Sequence, residues 1–418
     1  MKHFLLATAL LLACSARASL PAEETGQVET LPVPFSSTWF WASDPVLERA
    51  ALVDFRENKV LGGIDGGWGI TVPLFPQLNS REFYVPETHF SRGSRGERTD
   101  VVTVYESRTL SPIAEVIIPS KRAQNSLPNA NATLTDDEQF LVVFNMTPAQ
   151  SISIVDVRNR RFVEEIATPG CSLVYGAGVR RVMMLCADGA LLLVALNADG
   201  SLRDQTRTER FFDPQKDPLT EKGIRVEQTW YFISFEGYLY AINTDDRLDI
   251  STATFAKPWS LIAADERKER WRVGGRQFFA IHDASNTAYV LMHQGDVDTH
   301  KTGGTALWKF DLSTQKKISE HQLVSPGFTF SGVPTEFGTE WMWPFSELYT
   351  FLTSFSLQEP LARPDAIVVT QDADPTLLLG GQFSGMVAIY AASDMTFKYR
   401  VTTGNYSNLA LQLPGWGR

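Results

Sequence analysis

Extended helical periodicity is scarce in this sequence, cysteines and histidines are few, and no apolar run beyond the amino terminus is long enough to cross a membrane. Each scarcity excludes something. Without long 3.6-residue patterns the body is not a helical bundle or a doubly wound α/β domain. Three cysteines and six histidines form no HExxH motif and no Cys/His cluster at zinc spacing. A Gly-x-Ser-x-Gly elbow and a Walker loop are also missing, which removes the commonest hydrolase and nucleotide signatures. Positive charge is in deficit, 38 Lys and Arg against 48 Asp and Glu, and the net −10 argues against a nucleic-acid partner.

What is present begins with an export pattern. Lys2 precedes an apolar run from Phe4 to Ala13 broken only by Thr8, and Ala16-Arg17-Ala18 is a small-x-small cleavage site, so residues 1–18 are expected to be a signal peptide. Its removal takes away Lys2 and Arg17, which moves the formal charge from −10 to −12. Leu11-Leu12-Ala13-Cys14 also fits a lipoprotein box, with Cys14 as a lipid anchor. Either form places the body outside the cytoplasm without a membrane span. There Cys171 and Cys186 are expected to pair, because CSLVY and RVMMLC are β-rich runs joined by GAGVR in hairpin order. Two separate buried thiols are the alternative.

One pattern recurs: an apolar strand, a polar turn, then a second strand. It reads RAALVDFRENKVLGGI from Arg49, VVTVYESRTLSPIAEVII from Val101, SISIVDVRNRRFVEEI from Ser151 and LLLVALNADGSLRDQT from Leu191. It continues as YLYAINTDDRLDISTA from Tyr238, ALWKFDLSTQKKISEH from Ala306 and MVAIYAASDMTFKYRV from Met386. A lone hairpin would expose its apolar face, so seven copies predict radial stacking: an all-β, seven-bladed β-propeller over residues 39–418. Residues 19–38, with Pro21, Pro32 and Pro34, read as an extended arm. An insertion at about 326–360, before the last blade, holds nine aromatic residues between Phe328 and Phe355. It fits either a cover for a partner surface or a small core of its own.

Candidate chemistry is thin. His293 and His300 flank an acidic turn with Asp296 and Asp298, where a solvated turn between blades competes with a metal site and is the simpler reading. GGIDGGWG, Gly62 to Gly69, reads as a tight loop at a blade edge, and RGERTD, Arg95 to Asp100, as an exposed charge-paired turn. No catalytic set and no metal site emerges within the chain.

In order along the chain, FSRGSRGERTDVVTVYE (Phe90 to Glu106), SISIVDVRNRRFVEEI, GCSLVYGAGVRRVMMLCADGALL (Gly170 to Leu192), FFDPQKDP, KPWSLI, WRVGG and YVLMHQGDVDTHKT resemble the heavy chain of the tryptophan tryptophylquinone amine dehydrogenases. The likeness runs from about Trp39 to Leu323 and is weak in the last blade. IIPSKRAQ from Ile117 and KPWSLIAADERKERW from Lys257 look closer to the aromatic-amine (aralkyl) enzymes than to the methylamine enzymes.

The resemblance implies a periplasmic assembly of two heavy and two light chains. In it the quinone forms from two tryptophans of the light chain, and electrons leave to a blue copper protein of the azurin or amicyanin kind. This chain would then hold no cofactor and no catalytic residue. It would scaffold the light chain and shape the substrate channel for oxidative deamination of primary, arylalkyl amines to aldehyde and ammonia. Trp68 stands where, by resemblance, the methylamine enzymes carry a channel-lining phenylalanine, although the surrounding glycine pattern departs from that of the aromatic-amine members; an aromatic that caps the blade core is the alternative. A free-standing exported propeller that binds a ligand or protein partner without redox activity is the competing expectation.

Overall fold

The computed structural model describes residues 30–69, 72–76, 79–124, 129–244, 255–323, 363–381, 385–408 and 410–414. The segment expected to be a signal peptide, with Cys14, most of the expected arm and the expected aromatic insertion lie outside the described residues. Seven antiparallel sheets follow one another in a seven-bladed β-propeller. The helical content among the described residues is little more than the single turn Ala264–Lys268.

Blade 1 is built from both ends of the chain: Ala410–Gln412 supplies its inner strand, and Trp39–Asp44, Arg49–Asp54 and Lys59–Asp65 follow outward. Blade 2 contains Glu82–Arg92, Arg95–Glu106 and Ser111–Ile118, with Leu74 bridging Tyr84 on the inner side. Blades 3 to 7 begin at the inner strands Ala132–Leu134, Cys171–Gly176, Ile224–Val226, Trp271–Val273 and Ala366–Val369. Since neighbouring strands run in opposite directions, turns between second and third strands emerge on one face together with the connections between blades. We call this the upper face; the remaining turns emerge on the lower one.

Middle strands are covered on both sides by adjacent blades, so they are apolar without alternation. Phe140–Asn145 and Leu191–Leu196 are buried at every position. Outer strands face water, as in Leu202–Arg207 and Lys316–Gln322, which are largely exposed. The seams between blades are aromatic. Tyr175 of blade 4 lies edge-on to Trp230 and Phe232 of blade 5, with centroids 5.1 Å apart in both pairs. Its hydroxyl donates to Glu221 O at 2.7 Å, and Trp230 Nε1 donates to Gly176 O at 2.6 Å, so the polar ends of both rings are satisfied.

Among the described residues, six of the seven repeats are the outer hairpins of their blades. These six are described in full, and each has a positive-φ residue in its turn: Asn58, Leu110, Arg160, Gly200, Gln315 and Met395. A register shift follows in every one of those six ladders. A left-handed turn residue followed by a bulge is the geometry that matches a short loop to strand twist. Polar side chains complete the turns: Asp54 Oδ1 accepts from Arg56 N at 2.9 Å, and Asp311 Oδ1 from Ser313 N at 2.8 Å. In the blade 5 repeat, residues 245–254 lie outside the described residues, and the outer strand that follows is Trp259–Ser260.

Candidate functional site

Trp68 sits on the upper face, in the connection from blade 1 to blade 2. The outer strand of blade 1 ends at Asp65, and the chain then turns through Gly67 (φ 66°) and Gly69 (φ 105°). Both glycines are required by what lies beneath: a Cβ on Gly67 would stand 2.5 Å from Thr88 O, and one on Gly69 would stand 2.8 Å from Gln124 O. Trp68 N donates to Thr88 O at 2.8 Å, which fixes the turn to blade 2. The indole, 36% exposed, meets Phe90 edge-on at 6.3 Å and leaves a flat apolar wall open to solvent.

Below this wall lies a polar hub that the sequence reading missed. Asp100, with no exposure, accepts from Thr88 Oγ1 at 2.9 Å, Arg98 Nε at 2.9 Å, Arg98 Nη2 at 2.7 Å and Arg122 N at 2.8 Å. Arg98 Nη2 also donates to Arg122 O at 2.7 Å. The buried Arg122 guanidinium donates through Nε to Thr88 Oγ1 at 3.0 Å and through Nη2 to Trp68 O at 3.3 Å. Burial lowers its pKa to about 10, against the opposing pull of Asp100. RGERTD is therefore no simple exposed turn. Its last carboxylate ties together three upper-face segments: the Trp68 loop, the blade 2 hairpin and the connection into blade 3.

A second buried carboxylate adjoins the hub. Glu87 accepts from Thr103 Oγ1 at 2.5 Å and from Tyr105 OH at 2.8 Å, and half-exposed His89 Nε2 lies 3.2 Å from it. Burial, then the charge of Glu87, pushes the Tyr105 phenol far above its usual range, so this group donates a hydrogen bond and stays protonated.

The other sequence candidates lie elsewhere. Cys171 and Cys186 are directly opposed on the first two strands of blade 4 and form a disulfide. His293 is buried rather than solvated, with Nε2 2.8 Å from Thr299 Oγ1. Burial, and then the charges of Arg363 and Arg272, lowers its pKa to about 4. His300 stacks on Phe235 at 4.0 Å, and exposed Asp296 pairs with Arg270 at 3.0 Å. Among the described residues no group of three or more His, Cys, Asp or Glu side chains is placed to hold a metal ion. The His282 Nδ1 to Ser285 Oγ contact of 2.7 Å belongs to a turn, with Nε2 on Asp372 O at 3.1 Å and, among the described residues, no carboxylate side chain hydrogen-bonded to the ring. The upper-face wall at Trp68 is thus a partly exposed apolar surface set over a buried polar hub.

A family model described as methylamine dehydrogenase heavy chain matches residues 43–326. The methylamine dehydrogenase heavy chain of Methylobacillus flagellatus is 28% identical over 337 residues, covering 75% of this chain and 82% of that one. Its counterpart from Methylophilus methylotrophus is 26% identical over 276 residues, and the alignment spans 65% of each chain. Among solved structures, a functionally unknown protein from Desulfotomaculum acetoxidans aligns with 90% of this chain and 98% of its own, at a TM-score of 0.55 and 12% identity. The β-propeller domain of a Myceliophteria thermophila protein aligns with 87% of this chain and 96% of its own, at a TM-score of 0.51 and 9% identity. At such identities the structural likeness speaks for the fold alone.

Proposed function

Because this chain belongs to the methylamine dehydrogenase heavy-chain family, we propose that it is the large subunit of a periplasmic amine dehydrogenase that converts primary, arylalkyl amines to aldehyde and ammonia. A light chain bears the tryptophan tryptophylquinone, which supplies the carbonyl and two-electron chemistry, and a blue copper protein receives the electrons. This chain contributes no reacting group. It docks the light chain, excludes water and lines the substrate entrance with Trp68.

The observation that carries the substrate role is the Trp68 turn: an aromatic face held rigidly by two glycines and by bonds to two neighbouring segments, yet left open. A docked subunit would convert that open wall into one side of a pocket. Exposed apolar side chains support the upper face as the docking side. Among the described residues, Val46, Leu47, Trp68, Met146, Tyr238, Val297 and Tyr406 lie at upper-face turns, whereas the lower face has Val179. The remaining exposed large apolar residues lie on outer strands.

The reading is tested by assaying reduction of an artificial electron acceptor by benzylamine and by methylamine. The chain alone is expected to be inactive with both, and its complex with the light chain active, with the larger specificity constant for benzylamine. Activity of the isolated chain would refute the subunit role, and a preference for methylamine would refute the arylalkyl assignment.

A further inference from the structure

The middle hairpin of blade 2 is longer than its counterparts. Glu82–Arg92 and Arg95–Glu106 have 11 and 12 residues, while the second and third strands of blades 1, 3, 4 and 5 have five or six. The extra length is all on the upper side. The outer strand of blade 2 pairs no further than Asp100, and on the inner side the last bridge is Gly67 to Thr88. From His89 to Thr99 the hairpin is thus a two-stranded ribbon with neither edge paired to a further strand among the described residues, although Ser120 Oγ donates to Arg98 O at 2.9 Å. The four residues His89–Arg92 of one strand and the five residues Arg95–Thr99 of the other project roughly 13 Å.

A free two-stranded ribbon is marginally stable in water, and open strand edges are a hazard that proteins normally suppress. This one is held at its root instead. Phe90 packs on Trp68, and the Asp100 hub fixes Thr88 and Arg98 on the two strands where they leave the blade. The tip is shaped as well: Gly96 has φ 104°, a Cβ there would stand 2.4 Å from Ser91 Oγ, and that hydroxyl accepts from Glu97 N at 3.0 Å. Arg92 and Arg95 are exposed and face each other across the last pair of the ladder, with no ion pair to either among the described residues. With exposed Glu97 beside them, the two arginines leave the end of this projecting arm with a net charge of +1, opposite in sign to the whole chain, whose net charge is −10.

We propose that the His89–Thr99 ribbon is the arm by which this subunit grips its light chain, with Arg92 and Arg95 meeting an acidic patch of that chain next to the Trp68–Phe90 wall. This rests on the subunit reading above and adds the contact and its chemistry. A pre-shaped arm carries less ordering cost into the complex, and its rim charges chiefly set register and encounter rate. The excess negative charge of the remaining surface disfavours acidic partners elsewhere, which leaves the ribbon as a local site of attraction.

The test uses the tagged full chain purified with the small, quinone-absorbing chain from cells that make both. The double reversal Arg92→Glu/Arg95→Glu is expected to weaken association about ten-fold or more at low salt and to flatten its salt dependence. Arg92→Lys/Arg95→Lys should retain most of it, and Lys316→Glu on the outer strand of blade 6 should change nothing. Unchanged circular dichroism and melting would show that the reversal leaves the fold intact. Wild-type association by the doubly reversed protein overturns the arm while leaving the subunit reading in place. Absence of any quinone-absorbing chain with the wild type overturns both. Binding of heparin or anionic vesicles that depends on the two arginines, with light-chain association unaffected, assigns the ribbon to another partner and also overturns the proposal.

Discussion

At the scale of single residues, Trp68 and Arg122 illustrate what a sequence conceals. Trp68 could be singled out because it interrupts a glycine cluster and occupies a place the family resemblance marks. Arg122 could not, since nothing in IIPSKRAQ marks its arginine for burial and its partner Asp100 lies 22 residues away. Only the fold brings them together. If Trp68 lines the entrance, Trp68→Ala should lower the specificity constant for an aromatic amine more than for a small aliphatic one. A single aromatic contact in an apolar pocket contributes about 1–3 kcal/mol, so the differential should be roughly 5- to 150-fold. Equal changes for both amines, with the fold intact, would remove Trp68 from the channel. His293 yields a prediction about acid stability. An unfolded histidine titrates near 6.5, and this one, when folded, near 4. Between those values the unfolded chain binds more protons. The stability contributed by the neutral ring is therefore complete above pH 6.5 and lost progressively down to pH 4, with a ceiling of about 3 kcal/mol. Urea midpoints at pH 7.5 and 4.5 should differ less in His293→Gln than in the wild type. An identical difference in the two would exclude His293 as a source of acid lability.

At the scale of elements, the outer hairpins were the most readable part of the chain, because a buried apolar strand, a polar turn and an exposed outer strand each leave a mark on the sequence. Inner strands were not readable. Ala410–Gln412, which closes blade 1, has three residues, and three residues show no periodicity. The blade 2 ribbon was likewise hidden, since a run such as FSRGSRGERTD has the composition of a loop, and its pairing depends on the rigid hub at its root. The disulfide of blade 4 was anticipated from compartment and spacing together. It joins residues 15 apart, and closing a loop of that size is worth at most about 3 kcal/mol in the chain-entropy model. Cys171→Ser/Cys186→Ser should therefore fold and assemble, with its urea midpoint lowered by no more than that. Loss of the folded state altogether would show that the bridge does more than restrict the unfolded chain.

At the scale of the whole molecule, seven similar blades explain the ring but say nothing about what is carried on it, since the same architecture serves unrelated activities. The proposed function is concentrated where the repeat breaks: at the glycine turn with Trp68, the buried hub beneath it and the lengthened ribbon beside it, all on one face. Those departures were only partly visible before the fold was known, because a break in a repeat has meaning only once its surroundings are placed. The central claim is that this face completes an amine dehydrogenase with a quinone-bearing light chain. The most direct measurement is to purify the chain from its native cells and record the visible spectrum of the complex before and after adding benzylamine without oxygen. The account predicts a co-eluting small chain whose quinone absorbance is bleached by the amine. A chain that elutes alone, or a complex whose visible spectrum does not respond to amine, would contradict it.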